Sequence, residues 1–480
     1  MTALARSDSV RRTTAAQALS ALWREFGGDP ATLDRAELTG TDPVLPSSFP
    51  VGTAAQASIA AAALAAAELW RLRTGKSQRV AVAMRHAAVE CRSERYLRVA
   101  GQPTPDLWDK IAGTYRCGDA RWVRLHTNFP HHRDGVLKLL GCAYDRDAVK
   151  RALQDWRAED LETAAAEAGL VVTAMRSFAE WDAHPQGRAV ASLPVFSIER
   201  IGEAPAEILP GAARPLSGVR VLDLTRIIAG PVAGRTLAAH GADVLLVTSP
   251  HLPSVEQLVI DTGRGKLSTH IDLHDPAGRD ALARLLRSAD VFVQGYRPGG
   301  LAELGFGPEE AGKIRPGIVY VSLSAYGHEG PWHGRRGYDS LVQTASGFNH
   351  AEAQAAGSDK PYPLPMQVLD HATGYFMAFG AITALARRVT QGGSWHVRVS
   401  LAQTGRWVRN LGRVENGLAC PDPKIEEVRD LLDDADSGFG RLTFVRHAAK
   451  LSATTPQWVR PSVPLGTHPP AWPQIADEMS

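Results

Sequence analysis

Residues 216–247, LSGVRVLDLTRIIAGPVAGRTLAAHGADVLLV, decide how the chain folds. The run VRVLDL at 219–224 is apolar apart from Arg220 and Asp223, as expected of a strand buried on both faces. PVAGRTLAAH at 231–240 then reads as a helix, and ADVLLV at 242–247 as a second apolar strand. A strand, a helix of about ten residues and a strand predict two parallel strands joined by a right-handed crossover. The pattern continues outward. Residues 271–273 read as extended, 276–288 as an amphipathic helix and ADVFV at 289–293 as a strand. Residues 309–314 read as helical and IVYVS at 318–322 as a further strand. The expected fold class is α/β, with a Rossmann-like parallel-sheet large domain built mainly from 216–410 and a smaller α/β domain from about 90–205.

Upstream, residues 54–69 (AAQASIAAAALAAAEL) form the most apolar run. It carries Gln56 and Glu68 and is too short to span a bilayer, so it reads as a buried helix with no membrane partner. Prolines 43, 46 and 50 and the Pro/Gly-rich stretch EAPAEILPGAARP at 203–215 mark breaks. They divide the chain into an N-terminal extension (1–45, with a helix near 15–25), a region 46–210, a region 211–410, and a tail 411–480. The tail is expected to be irregular, and its end, PSVPLGTHPPAWP, extended. There is also an internal echo. Aligning Gly75 with Gly392 superposes two Ala-rich helix–Gly–strand units at an offset of 317, so that Asp370 falls on Thr53.

Charge and cysteine usage narrow the function. Fifty-three basic and 51 acidic residues give a net charge of +2, which argues against a nucleic-acid partner. The four cysteines, Cys91, Cys117, Cys142 and Cys420, include no C-x-x-C pair. They read as thiols in a reducing cytoplasm, and no signal peptide is visible. His131 and His132 are adjacent and expected to face different directions, so they offer no metal site. The first strand is followed by TRIIAGPVAG rather than G-x-G-x-x-G, which discounts a nicotinamide-dependent reductase. Asp370, in QVLDHATGYFMAFG, lies just before an apolar helical run and reads as a helix N-cap, where the macrodipole favours an ionised carboxylate.

Seven pieces in order, LSGVRVLDLTRIIAGP, HGADVLLV, GRGKLSTHIDLHDPAGRDAL, ADVFVQGYRPGGLAELGFG, IVYVSLSAYGHEGP, RRGYDSLVQTASG and VLDHATGY, resemble the first half of a family III CoA-transferase. That group includes formyl-CoA and carnitine CoA-transferases and α-methylacyl-CoA racemase. Residues from about 69 to 215 resemble the second half, so the halves stand in swapped order. The resemblance implies transfer of coenzyme A between an acyl-CoA and a small carboxylic acid, with no metal. It also implies an interlocked homodimer. It makes Asp370 the nucleophile that attacks the thioester, with Tyr338 and Asp339 beside it. It implies coenzyme A contacts from Ile227, Ile228 and Ala229 near the thioester, Tyr296 near the adenine, and Arg264, Lys266 and Arg336 at the phosphates.

The sequence departs from the family pattern in three places. Ile228 stands where many transferases have Gln, Tyr338 where racemases typically have His, and no run of four glycines is present. A phenol with an ordinary pKa near 10 suits proton abstraction poorly, which favours transfer over racemisation. Two alternatives remain open, an acyl-CoA racemase or isomerase and a non-catalytic CoA-binding subunit.

Overall fold

The computed structural model describes residues 12–209 and 213–473. Its centre is a seven-stranded sheet. In chain order the strands are β1 (Phe196–Gly202), β2 (Arg220–Leu224), β3 (Asp243–Thr248), β4 (Lys266–His270), β5 (Val291–Gln294), β6 (Val319–Ser324) and β7 (Ser394–Ser400). Across the sheet they run β4-β3-β2-β5-β6-β7-β1, all parallel except the last pair. Val221, Leu222, Val244, Leu245, Val291, Phe292, Val319 and Val321 are fully buried, as the continuous apolar runs require. The order reverses between β2 and β5, the switch point of a doubly wound sheet, where a crevice opens at the carboxyl ends of the strands.

Four helices matter for the site: α1 (Val51–Thr74), α2 (Ala229–Ala239), α3 (Asp339–Ala345) and α4 (Val368–Gln391). α1 is long and apolar enough to cross a membrane by composition, but it is buried against α4. α2 follows β2 and approaches α4 at Gly374, where an added Cβ would stand 2.5 Å from the Ala229 carbonyl and 2.8 Å from Val232 Cβ. α1 and α4 form the two copies of the internal echo, and the register holds atom by atom. Both helices have 24 residues. Their N-caps, Pro50 and Gln367, share the same backbone angles, φ −78°/ψ 64° and φ −79°/ψ 62°. In each copy an aspartate from outside the helix accepts backbone N–H bonds of the first turn. Asp42 takes those of Gly52 and Thr53, and Asp339 takes those of Leu369 and Asp370.

The smaller unit is an antiparallel sheet of Gly113–Arg116, Trp122–Leu125 and Val172–Ala174, covered by helices between 130 and 167 around its own apolar core. It docks on α3 through Arg176 N–H to the Thr344 carbonyl, 3.2 Å. Two sequence expectations need correction. Residues 271–273, read as extended, lie outside any strand, and β4 is Lys266–His270, which pairs in parallel with Val244–Thr248; the tail meets its backbone, where Ser268 N–H donates to His468 Nδ1 and the Ser268 carbonyl accepts from His468 N–H. The tail is also not irregular throughout. Leu432–Ser437 and Gly440–Val445 form a hairpin, and Ala449–Leu451 adds to Val80–Ala83. From 452 to 473 no helix or strand forms, as expected of the proline-rich end.

Candidate active site

The crevice at the switch point is a cavity of about 500 Å³. Its walls come from the carboxyl ends of β2, β3, β5, β6 and β7, the segment before α3, the first turn of α4, and residues 129–132 of the smaller unit. Four arginines border it, Arg226, Arg297, Arg335 and Arg336, against two acids, Asp272 and Asp370. The excess of guanidinium groups suits a ligand carrying several phosphates.

Asp370 is the third residue of α4, not its N-cap. It is 7% exposed, borders the cavity, and its side chain accepts no hydrogen bond from the described residues. Burial drives its pKa well above the ordinary carboxylate range, and the charges of Asp339 and Glu94 push in the same direction. A carboxylate without donors, held close to other acids, is a basic and poorly solvated nucleophile.

Asp339 stands differently from expectation. It does not border the cavity. Its carboxylate sits under the first turn of α4, accepting from Asp370 N–H at 3.0 Å, from Leu369 N–H and from the Gln343 amide. It therefore fixes where Asp370 starts the helix instead of touching a ligand. Burial raises its pKa to about 6, although its hydrogen bonds pull the other way. On the far side of the turn, His371 Nε2 meets Glu94 at 3.3 Å, both fully buried.

Tyr338, half-buried at the N-cap of α3, borders the cavity. His126 stacks on its ring at 4.1 Å, and Phe129 and His132 pack around it at 6.3 and 6.2 Å. Burial pushes the phenol to about 12; Arg226 and Arg336 oppose this and Asp370 reinforces it. Ile227, Ile228, Ala229, Tyr296 and Arg336 all border the cavity as expected. Ile227 adopts φ +76°, a left-handed conformation that costs a β-branched residue on the order of 1–3 kcal/mol. That strain turns the chain from β2 into α2 directly at the cavity wall.

Arg264 and Lys266 do not reach the cavity, and their expected role at the phosphates is corrected here. Arg264 bonds the Asp261 carboxylate at 2.8 Å and the Val445 carbonyl at 2.9 Å. Lys266 pairs with Asp223 at 2.8 Å and donates to the Pro231 carbonyl, with both side chains buried. Lys266 is thus paired one to one, and Arg264 shares Asp261 with Arg235, inside the fold. The cations that do border the cavity include Arg226, inside the quoted TRIIAGP stretch but not singled out from the sequence. Its guanidinium donates to the Pro253 carbonyl and lies 4.8 Å over the Phe129 ring. His131 and His132 were expected to diverge, yet both border the cavity, because two successive positions at a helix start can share one concave wall.

The chain is 31% identical over 338 residues to an acyl-CoA transferase of Gibberella moniliformis, covering 62% of this chain and 58% of the relative. It is 37% identical over 183 residues to the succinyl-CoA:glutarate CoA-transferase of Mus musculus, covering 36% and 41%. It is 32% identical over 217 residues to the formyl-CoA:oxalate CoA-transferase of Afipia carboxidovorans, covering 42% and 49%. Among solved structures, Rv3272 from M. tuberculosis is similar at 32% identity and TM-score 0.39, covering 41% of this chain and 58% of that one. The chain thus spans little more than half the length of the curated relatives it matches. The sequence profile of CoA-transferase family III matches residues 33–208 and 216–412, well over half of the chain, and the protein belongs to that family.

Proposed function

We propose that the protein is a CoA-transferase that moves coenzyme A from an acyl-CoA to a carboxylic acid through a covalent intermediate on Asp370. The carrying observation is the Asp370 carboxylate, without a donor of its own, opening into a cavity bordered by four arginines. In the first step the ionised carboxylate attacks the thioester carbonyl. The C–S bond breaks, leaving an acyl–aspartyl anhydride and the CoA thiolate. The thiolate then attacks the aspartyl carbonyl, which releases the donor's acid and leaves an aspartyl thioester. The acceptor carboxylate attacks that thioester, forming a second anhydride and freeing the thiolate again. The thiolate takes the acceptor's acyl carbon, and Asp370 leaves as a carboxylate. No net proton is consumed.

The apolar wall of Ile227 and Ile228 excludes water from these intermediates, and Arg226 and Arg336 offset the anionic charge. Tyr296 and Arg297 lie along the same cavity, suited to the adenine and phosphates of coenzyme A. Racemisation would need a second acid–base group near neutrality to work opposite Asp370. Burial holds His126 and His132 at about 3 and Tyr338 at about 12, which weighs against that reading. We read the protein further as a cytoplasmic homodimer; its four unpaired cysteines are in keeping with a reducing compartment.

The test uses three donor–acceptor pairs: succinyl-CoA with glutarate, formyl-CoA with oxalate, and acetyl-CoA with propionate. Trapping with hydroxylamine or borohydride should modify Asp370, read by peptide mass spectrometry, and Asp370→Asn should lose turnover and adduct together. Undiminished turnover in Asp370→Asn, or α-deuterium exchange without an adduct, overturns the proposal.

A further inference from the structure

His132 is an imidazole placed where a phenyl ring would pack equally well. It is 2% exposed and sits in an aromatic cluster with Phe129, His131 and Tyr338 at centroid distances of 6.0, 4.1 and 6.2 Å. Neither of its ring nitrogens has a hydrogen-bond partner among the described residues. Leaving a buried donor or acceptor unmet costs about 1–3 kcal/mol, so an unpartnered polar ring in an apolar cluster calls for a ligand. His132 borders the cavity, and it does so at the end where Asp370 acts, since the Tyr338 ring that it touches feels the Asp370 charge. Thr248, the other buried side chain with an unmet polar atom on this cavity, lies away at the end of β3.

The surrounding charge says what the ligand is. Arg226 and Arg336 are the cations that act on both His132 and Tyr338. With burial they hold His132 neutral, so it keeps one N–H to donate and one nitrogen that cannot compete for that proton. A neutral N–H on the wall of a cavity that also carries Arg226, Arg336 and Asp370 is matched by an anion with oxygen acceptors. In the reaction proposed above, that anion is the free carboxylate of the acceptor acid. The reacting carbon of the acyl-CoA enters as an uncharged thioester, whereas the reacting group of the acceptor enters as an anion.

We infer that His132 recognises the acceptor acid, donating a hydrogen bond to its carboxylate while Arg226 and Arg336 supply the opposing charge. This rests on the transfer reaction through Asp370. His132 is thereby a specificity-determining residue contributed by the smaller unit, and the site needs both regions of the chain.

The experiment compares wild type, His132→Phe and His132→Gln, using whichever of the three substrate pairs the wild type turns over fastest. His132→Phe keeps the ring packing and removes both unmet nitrogens, so its melting temperature should equal or exceed that of the wild type. Its KM for the acceptor acid should rise about tenfold, roughly 1.4 kcal/mol. Its KM for the acyl-CoA should stay within twofold, and the Asp370 adduct should form as in the wild type. His132→Gln, which restores an N–H donor, should recover part of the loss. An unchanged KM for the acid in His132→Phe, with the adduct intact, overturns the inference and leaves the transfer reaction standing. If His132→Phe does not melt cooperatively, His132→Gln decides: its KM for the acid should rise by less than tenfold over wild type, and equality with wild type overturns the inference. A wild type that forms no Asp370 adduct with any pair removes the transfer reaction itself.

Discussion

Replacing Lys266 by Met separates a structural ion pair from a ligand contact. Lys266 and Asp223 meet at 2.8 Å with side chains 1% and 0% exposed, and Nζ also serves the Pro231 carbonyl. Gly234 makes room for them, since a Cβ there would stand 2.2 Å from the Asp223 carboxylate and 2.8 Å from Nζ. Removing the ammonium leaves Asp223 as a buried charge with only the Thr225 hydroxyl as donor, 2.5 Å away. Breaking one side of such a pair costs about 3–5 kcal/mol. For a chain of 480 residues each kcal/mol shifts the melting temperature by roughly 1 °C, so Lys266→Met should melt about 4 °C lower. The double variant Lys266→Met with Asp223→Asn removes both charges and should recover most of that loss, because replacing a whole buried pair is near neutral. Calorimetry reads the melting temperature and steady-state kinetics read the KM for acyl-CoA, which should stay within twofold in any folded variant. A Lys266→Met protein that melts like the wild type but has a tenfold higher KM for acyl-CoA would refute this reasoning and return the lysine to the phosphates.

Other measurements bear on the site itself. Gly374→Ala places a methyl against the Ala229 carbonyl at 2.5 Å, so α4 must move away from α2; kcat should fall at least tenfold with Asp370 unchanged in sequence. Turnover should decline as pH falls from neutrality, well above the usual carboxylate range, because Asp370 must be ionised and its pKa is raised by burial and by Asp339 and Glu94. The stability effect of Asp339 has the opposite sign. Its folded pKa of about 6 exceeds the unfolded 3.8, so its proton favours the fold below 3.8, and about 3 kcal/mol of that preference disappears as pH rises to 6. Denaturant titrations of Asp339→Asn between pH 4 and 7 should lack that slope. Tyr338→Phe should keep kcat within about fivefold, since a phenol held at about 12 stays protonated at neutral pH and cannot act as a base, whereas Tyr338→Ala should lose more by emptying the ring stack on His126.

The large sheet was legible because parallel strands buried on both faces are unbroken apolar runs, as at 219–224 and 318–322. β4 was missed for the opposite reason. KLSTH is polar, it pairs with β3 at the edge of the sheet, and its outer edge is covered by a residue 200 positions from Ser268, His468. The hairpin strand LDDADS was hidden by its charge, which faces solvent. Asp370 and the residues of TRIIAGP could be read in place because they sit at the ends of elements that the sequence defines locally. Lys266 looked like a free cation because Asp223 is 43 positions away, whereas the acid that meets Arg264, Asp261, is only three positions off and the residue that encloses it, Val445, is 181 away. The wall from 129 to 132 could not be read from local signals either, since only docking of the smaller unit brings it to Tyr338.

The paired helices α1 and α4 supply an internal control that most enzymes lack. At Thr53 the hydroxyl closes back onto Asp42 at 2.7 Å, and the position is buried away from the arginine-lined cavity. The same N-cap backbone angles and the same kind of aspartate cap are therefore present away from that cavity. A carboxylate written into that twin, by Thr53→Asp, would occupy an equivalent helical station and remain chemically idle. Reactivity in this molecule is thus a property of the empty space in front of a side chain, and the helix beneath it is an interchangeable mount.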